Sequence, residues 1–315
     1  MYIIMSKQEI KMVNKKVEKH ISHHHHHDVD ITKANVNRLI FSFVINILLS
    51  VVEIVGGIVS GSNALIGDAL HNTSDAFSIL VAVIAFKIGG KNANEKFTYG
   101  FKRAETLGGF FNLVLLFISG IYLLFESVEG FFFPSQIDGN MIISISILAL
   151  IIDTMTAKFS HSGAEANSNM KMVFLHNLSD ALNSVAVIVS GIFVSYFGIY
   201  WVDNLIALFI AIYMIYQAVV SSPKIIKILM NAVPEDIDLN EVKDVISQIG
   251  GVCDVHHLHL WSLNEKDISL ECHIVSKDKD VVKKVIKLLN EMYGISHIYV
   301  QTEDVDDCCC CKCCL

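Results

Sequence analysis

The chain has 315 residues, of which 53% are hydrophobic, and its mean hydropathy is +0.51. Soluble domains are about 45–50% apolar and slightly hydrophilic on average, so this composition excludes an ordinary soluble domain. The net charge of −8 and the absence of a dense basic stripe in the sequence exclude nucleic acid as a partner.

Residues 1–37 are polar and contain the run HHHHH, which consists of His23, His24, His25, His26 and His27. We interpret this segment as a cytoplasmic tail that collects metal ions. An expression tag and a solvated low-complexity stretch are the alternatives. Because no short apolar run with a cleavage site occurs before residue 38, we expect the first apolar segment to be a retained helix.

Six apolar segments follow, each about as long as a helix that crosses a bilayer. They lie near residues 39–59, 64–86, 106–127, 140–157, 172–197 and 201–221. The pattern predicts a polytopic α-helical membrane protein with six transmembrane helices, which occupy a domain of residues 38–222.

The basic residues predict how these helices are oriented. If residues 1–37 are cytoplasmic, all 24 Lys and Arg residues fall on cytoplasmic segments and the three outer loops hold none. The sequence therefore predicts that the N- and C-termini are both cytoplasmic.

One seven-residue motif occurs in two of the predicted helices, as LHNTSDA at residues 70–76 and as LHNLSDA at residues 175–181. Positions four residues apart share one face of a helix, so His71 lies beside Asp75 and His176 beside Asp180. An intramembrane carboxylate costs several kcal/mol unless it is paired or hydrated. A simple helix-stabilising hydrogen bond would explain one such pair, but its repetition in two spans favours a shared ligand.

Two imidazoles and two carboxylates form a four-coordinate set that suits tetrahedral Zn²⁺. Metal binding requires neutral imidazole and ionised carboxylate, so protons displace the metal. A site that opens alternately to the two faces of the membrane would therefore exchange metal for protons. Intramembrane Glu53 and Asp153 either line an aqueous path or pair with polar side chains such as Asn46.

Residues 223–305 have the charge and patterning of a small cytoplasmic domain. The order helix, strand, strand, helix, strand predicts an α+β ferredoxin-like fold. Alternation along the first strand predicts His257 and His259 on one face and His256 on the other. Cys272 is expected to lie in the core.

The last segment, residues 306–315, is rich in cysteine and includes Cys308, Cys311, Cys313 and Cys314. Clustered cytosolic thiols favour binding of a soft metal. S-acylation near the membrane is the alternative.

The chain resembles the cation diffusion facilitator family, in its zinc-transporting branch, over roughly residues 35–305. The resemblance is carried by SNALIGDALHNTSDA, FTYGFKRAETLGGFFN, FLHNLSDALNS and VHHLHLWSL. It implies six helices, a ferredoxin-like cytoplasmic domain, a homodimer, and exchange of a divalent metal for protons with export from the cytosol.

The same resemblance assigns the transport site to His71, Asp75, His176 and Asp180, with Asp68 as a helper beside it. It also implies a regulatory metal site in the cytoplasmic domain at His256, His273 and His297. Zn²⁺ is then the expected substrate, with Cd²⁺ or Co²⁺ as further candidates, and no organic cofactor is expected. The membrane would be the cell membrane or that of an organelle.

Two other classes of function stay open at this point. A membrane metalloenzyme could use the four residues to activate water, although catalytic zinc usually keeps three protein ligands and one open position. A metal sensor could use the helices only as an anchor, which would leave the duplicated intramembrane motif unexplained.

Overall fold

The computed structural model describes residues 33–89, 93–133, 135–164, 168–264, 267–278 and 280–304. The histidine run and the cysteine-rich tail lie outside these residues, so their predicted metal binding stays a prediction. The described chain divides into two compact units, of which one extends to Pro223 and the other begins at Lys224.

The first unit consists of long helices of 26 to 30 residues. They are α1 Lys33–Ser60, α2 Asn63–Gly89, α3 Ala104–Phe132, α4 Gly139–Ala164, α5 Ser168–Phe197 and α6 Trp201–Leu229. At about 1.5 Å per residue each is longer than the roughly 30 Å hydrocarbon core of a bilayer.

Five of the described helices, α1, α3, α4, α5 and α6, are long and apolar enough to cross a membrane. The remaining long helix, α2, has 27 residues and includes Asp68, Asp75 and Lys87. The prediction of a helical membrane domain is thus confirmed for five spans, and the sixth stays a prediction.

Small residues allow the helices to approach closely. A Cβ atom at Gly139 of α4 would lie 2.6 Å from the carbonyl oxygen of Gly191 in α5, so these two backbones are in direct contact. A Cβ atom at Gly67 of α2 would lie 2.6 Å from Leu123 of α3. These contacts bring α4 close to α5 and α2 close to α3.

The second unit contains α7 Leu239–Ser247, β1 Val252–Ser262, β2 Ile268–Ser276, α8 Val281–Tyr293 and β3 His297–Glu303. Among the described residues the sheet has the order β1-β2-β3, with β1 antiparallel and β3 parallel to β2. The element order is the predicted one. The ferredoxin-like fold itself stays a prediction.

The two faces of this sheet differ in burial. One face packs its apolar side chains, among them Leu270, Cys272 and Ile274, into a core with Val242 of α7 and Leu289 of α8. The other face carries partly exposed polar side chains from all three strands. Only this second face can offer ligands to a metal from solvent.

Candidate metal centres

The membrane site is built by α2 and α5, which run antiparallel. His71 of α2 contacts Asp180 of α5, and Asp68, one turn earlier, contacts Ser184, one turn later. Residue numbers that fall on one helix as they rise on the other define an antiparallel pair. The two copies of the repeated motif therefore face each other.

Two carboxylates approach one nitrogen atom of His71. Its Nε2 lies 3.5 Å from Oδ2 of Asp75 and 3.3 Å from Oδ1 of Asp180. The three donor atoms all lie within 4.8 Å of one another. Around a tetrahedral Zn²⁺ with bonds of about 2.0–2.1 Å, neighbouring donor atoms are about 3.3 Å apart. The observed spacing suits a metal of that size.

Burial changes across this site. The side chain of His71 is 1% exposed, that of Asp180 11% and that of Asp75 21%. Asp75 is thus the most exposed of the three side chains, and it lies at the end of the site nearer the C-terminus of α2.

The fourth predicted donor, His176, lies in α5 one turn before Asp180. Its side chain is outside the described part of the structure. The antiparallel pairing of His71 with Asp180 places backbone position 176 level with Asp75. The backbone is thus compatible with the predicted four-ligand set, and the role of His176 stays a prediction.

A hydrogen bond from α2 to α1 supports the histidine. Nδ2 of Asn72 donates to Oε2 of Glu53 at 3.0 Å, and Glu53 is fully buried. The sequence left the partner of Glu53 open and offered Asn46 as an example. The sequence feature that could have indicated this partner of Glu53 is the Asn of the HNxSD motif, which follows the histidine in both copies.

Asp68 and Asp153 meet at one hydroxyl. Oγ of Ser184 lies 2.8 Å from Oδ2 of Asp153 in α4 and 3.3 Å from Oδ2 of Asp68. Asp68 precedes His71 by three residues on α2 and is outside the group of close donor atoms, and its role as a helper stays a prediction. Sequence reasoning missed Ser184, which stands four residues after Asp180 on the same face.

A second cluster of donor atoms occupies the open face of the cytoplasmic sheet. His256 of β1 and His273 of β2 are direct cross-strand partners. Glu303, at the end of β3, places Oε1 at 2.8 Å from Nδ1 of His273 and Oε2 at 3.3 Å from Nε2 of His256. These three residues are partly buried and form the other group of close donor atoms among the described residues.

Asp254 orients the first of these histidines. Its Oδ2 lies 3.0 Å from Nδ1 of His256, which leaves Nε2 directed at the cluster. A carboxylate bonded to the far nitrogen of a histidine fixes the tautomer in many metal sites. The cluster is therefore arranged to bind a cation through Nε2 of His256.

The structure does not bring His297 into this cluster. His297 is the first residue of β3 and Glu303 is the last. At about 3.3 Å per residue the two backbones are about 20 Å apart, which exceeds the reach of a side chain. Glu303 is the third member of this group of donor atoms, and a metal role for His297 stays a prediction.

The predicted alternation along β1 places His256 on the wrong face, whereas the rings of His257 and His259 do lie together, with centroids 5.3 Å apart. The register pairs His256 with His273 but His259 with Glu271, so one residue of β2 faces two residues of β1 between them. His257 in this bulge has φ +52°. The extra residue returns His259 to the face of His256. The ring of His257 stacks on His273 with centroids 4.9 Å apart.

Cys272 lies in the core, as expected. It is fully buried, and burial raises the pKa of its thiol to about 12. A neutral thiol on the packed face of the sheet is not available as a metal ligand.

Two family models match the chain. The cation efflux transmembrane domain matches residues 39–230, and the cation efflux protein cytoplasmic domain matches residues 234–305. Together they cover both compact units.

Similar proteins have names that refer to metal efflux. The cadmium, cobalt and zinc/H(+)-K(+) antiporter of Bacillus subtilis is 32% identical over 86% of this chain and 89% of its own length. The metal cation efflux system protein CzcD of Cupriavidus metallidurans is 31% identical over 88% of this chain and 89% of its own length. A solved structure of the metal-bound C-terminal domain of the CzcD transporter aligns with 21% of this chain and 99% of its own, at 30% identity and a TM-score of 0.21.

Proposed function

The chain belongs to the cation efflux family, the cation diffusion facilitators, and on that premise we propose that it exports a divalent cation from the cytosol in exchange for protons. The observation that carries the proposal is the approach of two carboxylate oxygens to Nε2 of His71, inside a bundle of apolar helices. The protein is an integral membrane protein. On this view the protein transports the ion and does not catalyse a chemical reaction.

The donor set favours Zn²⁺ as the substrate. Imidazole nitrogen suits zinc-like metals, whereas Mg²⁺, Ca²⁺ and Mn²⁺ prefer oxygen alone. His176 completes the set with a second imidazole. The relative from Bacillus subtilis is named for cadmium, cobalt and zinc, and these three ions are the candidates here.

Protons and metal compete for the same atoms in this mechanism. When His71 is neutral, Nε2 and the oxygens of Asp75 and Asp180 can hold the cation. When a proton occupies Nε2, the imidazolium forms ion pairs with the same two carboxylates, at the observed separations. The two states exclude each other because one nitrogen lone pair serves both.

We propose that α2 also spans the membrane, which brings the number of spans to six. It carries two of the ligands and lies between spans α1 and α3 in the chain. Both termini are then cytoplasmic. We also propose that the cytoplasmic unit has the ferredoxin-like fold and that the protein works as a homodimer. The domain limits proposed are 38–222 for the membrane part and 223–305 for the cytoplasmic part.

We propose further that His256, His273 and Glu303 bind a regulatory metal ion on the cytoplasmic side. The three side chains offer two nitrogens and a carboxylate within bonding distance of a single ion. An ion there would join all three strands of the sheet. A cytosolic metal concentration high enough to fill this cluster would then stiffen the unit before transport.

The test is Zn²⁺ flux into proteoliposomes with an imposed pH gradient, for wild type, Asp75→Ala and His176→Ala. Gradient-driven flux in the wild type that is lost in both variants supports the transport site. Flux that persists in both variants would show that the paired residues are structural. Wild-type protein without flux, whose cytoplasmic unit still binds Zn²⁺, would favour a sensor.

A further inference from the structure

The hydroxyl group of Ser184 stands between two buried carboxyl groups. Its Oγ lies 2.8 Å from Oδ2 of Asp153 and 3.3 Å from Oδ2 of Asp68. Ser184 is fully buried, Asp68 is 1% exposed and Asp153 is 7% exposed. The three side chains belong to α5, α2 and α4, so this contact links the helices that surround the metal site.

A count of protons decides how these oxygens are bonded. A serine hydroxyl has one hydrogen to donate and can also accept. The shorter contact is the donation to Asp153, which uses that hydrogen. The contact with Asp68 at 3.3 Å then becomes a full hydrogen bond when Asp68 carries a proton and donates to Ser184. The arrangement can therefore hold one more proton than the hydroxyl supplies.

The charges around the hydroxyl group also favour a protonated Asp68. The titratable groups that face Asp68 are Glu53 of α1, His71 of its own helix, Asp153 of α4 and Asp180 of α5. No Lys or Arg among the described residues is buried. Several buried carboxylates around one imidazole cannot all be ionised without a large desolvation cost.

The position of the hydroxyl relative to the metal site is informative. Asp68 precedes His71 by about one turn, and Ser184 follows Asp180 by one turn. Both therefore lie on the side of the site opposite to Asp75, which is the most exposed of the three donor side chains. With the helix orientation predicted from the basic residues, this is the outer side of the membrane.

We propose that Asp68, Ser184 and Asp153 form a proton relay that supplies the protons exchanged for the metal. This inference rests on the proposed function. It adds to that function a route for the protons that is separate from the metal ligands.

The transfer balances in atoms and charge. The O–H bond of Asp68 breaks as a new O–H bond forms at Oγ of Ser184, and the original hydrogen of Ser184 passes to Oδ2 of Asp153. Asp68 becomes a carboxylate, Asp153 becomes neutral and Ser184 is unchanged. In the reverse direction the same contacts return a proton to Asp68, one turn from His71.

The experiment records Zn²⁺ flux and the accompanying change of internal pH in proteoliposomes for Ser184→Ala, Ser184→Thr and Ser190→Ala. Ser184→Ala removes the hydroxyl, and we expect the maximal rate to fall at least about tenfold with KM for Zn²⁺ unchanged. Ser184→Thr keeps a hydroxyl and should restore most of the rate. Ser190 is the matched control, because it also donates to a buried aspartate, Asp203, from the same helix.

The relay is overturned if Ser184→Ala exchanges Zn²⁺ for protons at the wild-type rate. It is also overturned if that variant raises KM as much as it lowers the rate, or if Ser190→Ala has the same effect, because both results indicate a packing role. If Ser184→Ala does not fold, Asp153→Asn tests the same relay, since the amide accepts the hydrogen bond but cannot take up a proton. A wild type without Zn²⁺ flux would instead overturn the proposed function itself.

Discussion

Nε2 of His71 has Asp180 at 3.3 Å and Asp75 at 3.5 Å, and both partners belong to the repeated motif. A proton or a divalent cation on this nitrogen satisfies both carboxylates. If Nε2 holds neither a proton nor a cation, the two carboxylates leave like charges close together in a buried place. Exchange of one for the other is therefore favoured over a state that holds neither.

Asp180→Asn tests this competition at a single side chain. The amide has nearly the size of the carboxylate but no charge, and we expect KM for Zn²⁺ to rise by more than the 10- to 100-fold typical of residues outside the ligand shell. The measurement is the Zn²⁺ dependence of flux in proteoliposomes. Asp138→Asn removes the same charge at the exposed start of α4 and should leave KM unchanged; equal effects of the two variants would refute a ligand role.

The two described cysteines should differ sharply in reactivity. Burial raises the pKa of Cys272 from 9.0 to about 12, so its thiol stays neutral at pH 8, while Cys253 is exposed. Peptide mapping after alkylation of native protein should find Cys253 modified and Cys272 intact. Modification of native Cys272 at pH 8 would contradict its buried position. Because the thiol ionises at a lower pH in the unfolded chain, Cys272 also lowers the folding stability as pH rises from about 9 to 12.

At the scale of the helices, Asp203 links the ends of α2, α5 and α6 by hydrogen bonds. At the start of α6, it accepts hydrogen bonds from Ser62 Oγ before α2 at 2.6 Å, from Ser190 Oγ of α5 at 2.7 Å and from the backbone N–H of Ala64 at 3.2 Å. Asp203 is fully buried. The contact fixes the ends of α2 and α5 that lie away from Asp75.

Asp203→Ala should therefore destabilise the membrane unit more than loss of an exposed cap. Removing a buried acceptor with three donors is expected to cost about 2–5 kcal/mol, against about 1 kcal/mol for Asp138→Ala at the exposed start of α4. Thermal unfolding in detergent measures both. Equal losses of stability in the two variants would show that the buried contact is not important for folding.

The sequence was sufficient to predict the order of the elements and the proximity of His71 and Asp75. Two five-residue HNxSD motifs in apolar segments predict paired donors, because helical spacing alone places His71 beside Asp75. Spacing cannot show which distant residue meets a given side chain. Ser184 therefore gained Asp153 as a partner, and Glu53 gained Asn72, only through tertiary packing.

The cytoplasmic strands show the same limit. The order of elements followed from hydrophobic pattern and glycine positions, and the last helix does end at Gly294 with φ +63°. The bulge at His257 shifts the alternation by one residue, and the local sequence does not predict it. Glu303 joins the cluster because β3 is parallel to β2, a pairing that only the assembled sheet reveals.

At the scale of the whole molecule, each compact unit has its own group of donor atoms. A cation on the cytoplasmic group would link β1, β2 and β3, so Zn²⁺ should slow hydrogen exchange in these strands. Ligand at 100 times its dissociation constant stabilises a fold by about 2.7 kcal/mol. Glu303→Gln should abolish the protection in the full chain.

Glu235→Gln serves as the control for that measurement, because Glu235 is exposed, pairs with Lys227 at 2.7 Å and is not a member of the cluster. Protection by Zn²⁺ that survives in Glu303→Gln would place the ion elsewhere. Protection lost in both variants would indicate a general effect of charge rather than a site.

The central claim is that protons and metal compete for Nε2 of His71 and its two carboxylates. The most direct measurement is the apparent KM for Zn²⁺ in proteoliposomes as a function of pH on the loading side. Competition by a single proton predicts that KM rises up to about tenfold per pH unit as pH falls, while the maximal rate stays constant. A KM that stays constant as pH falls would contradict the account, because protons would then not compete with the metal for these atoms.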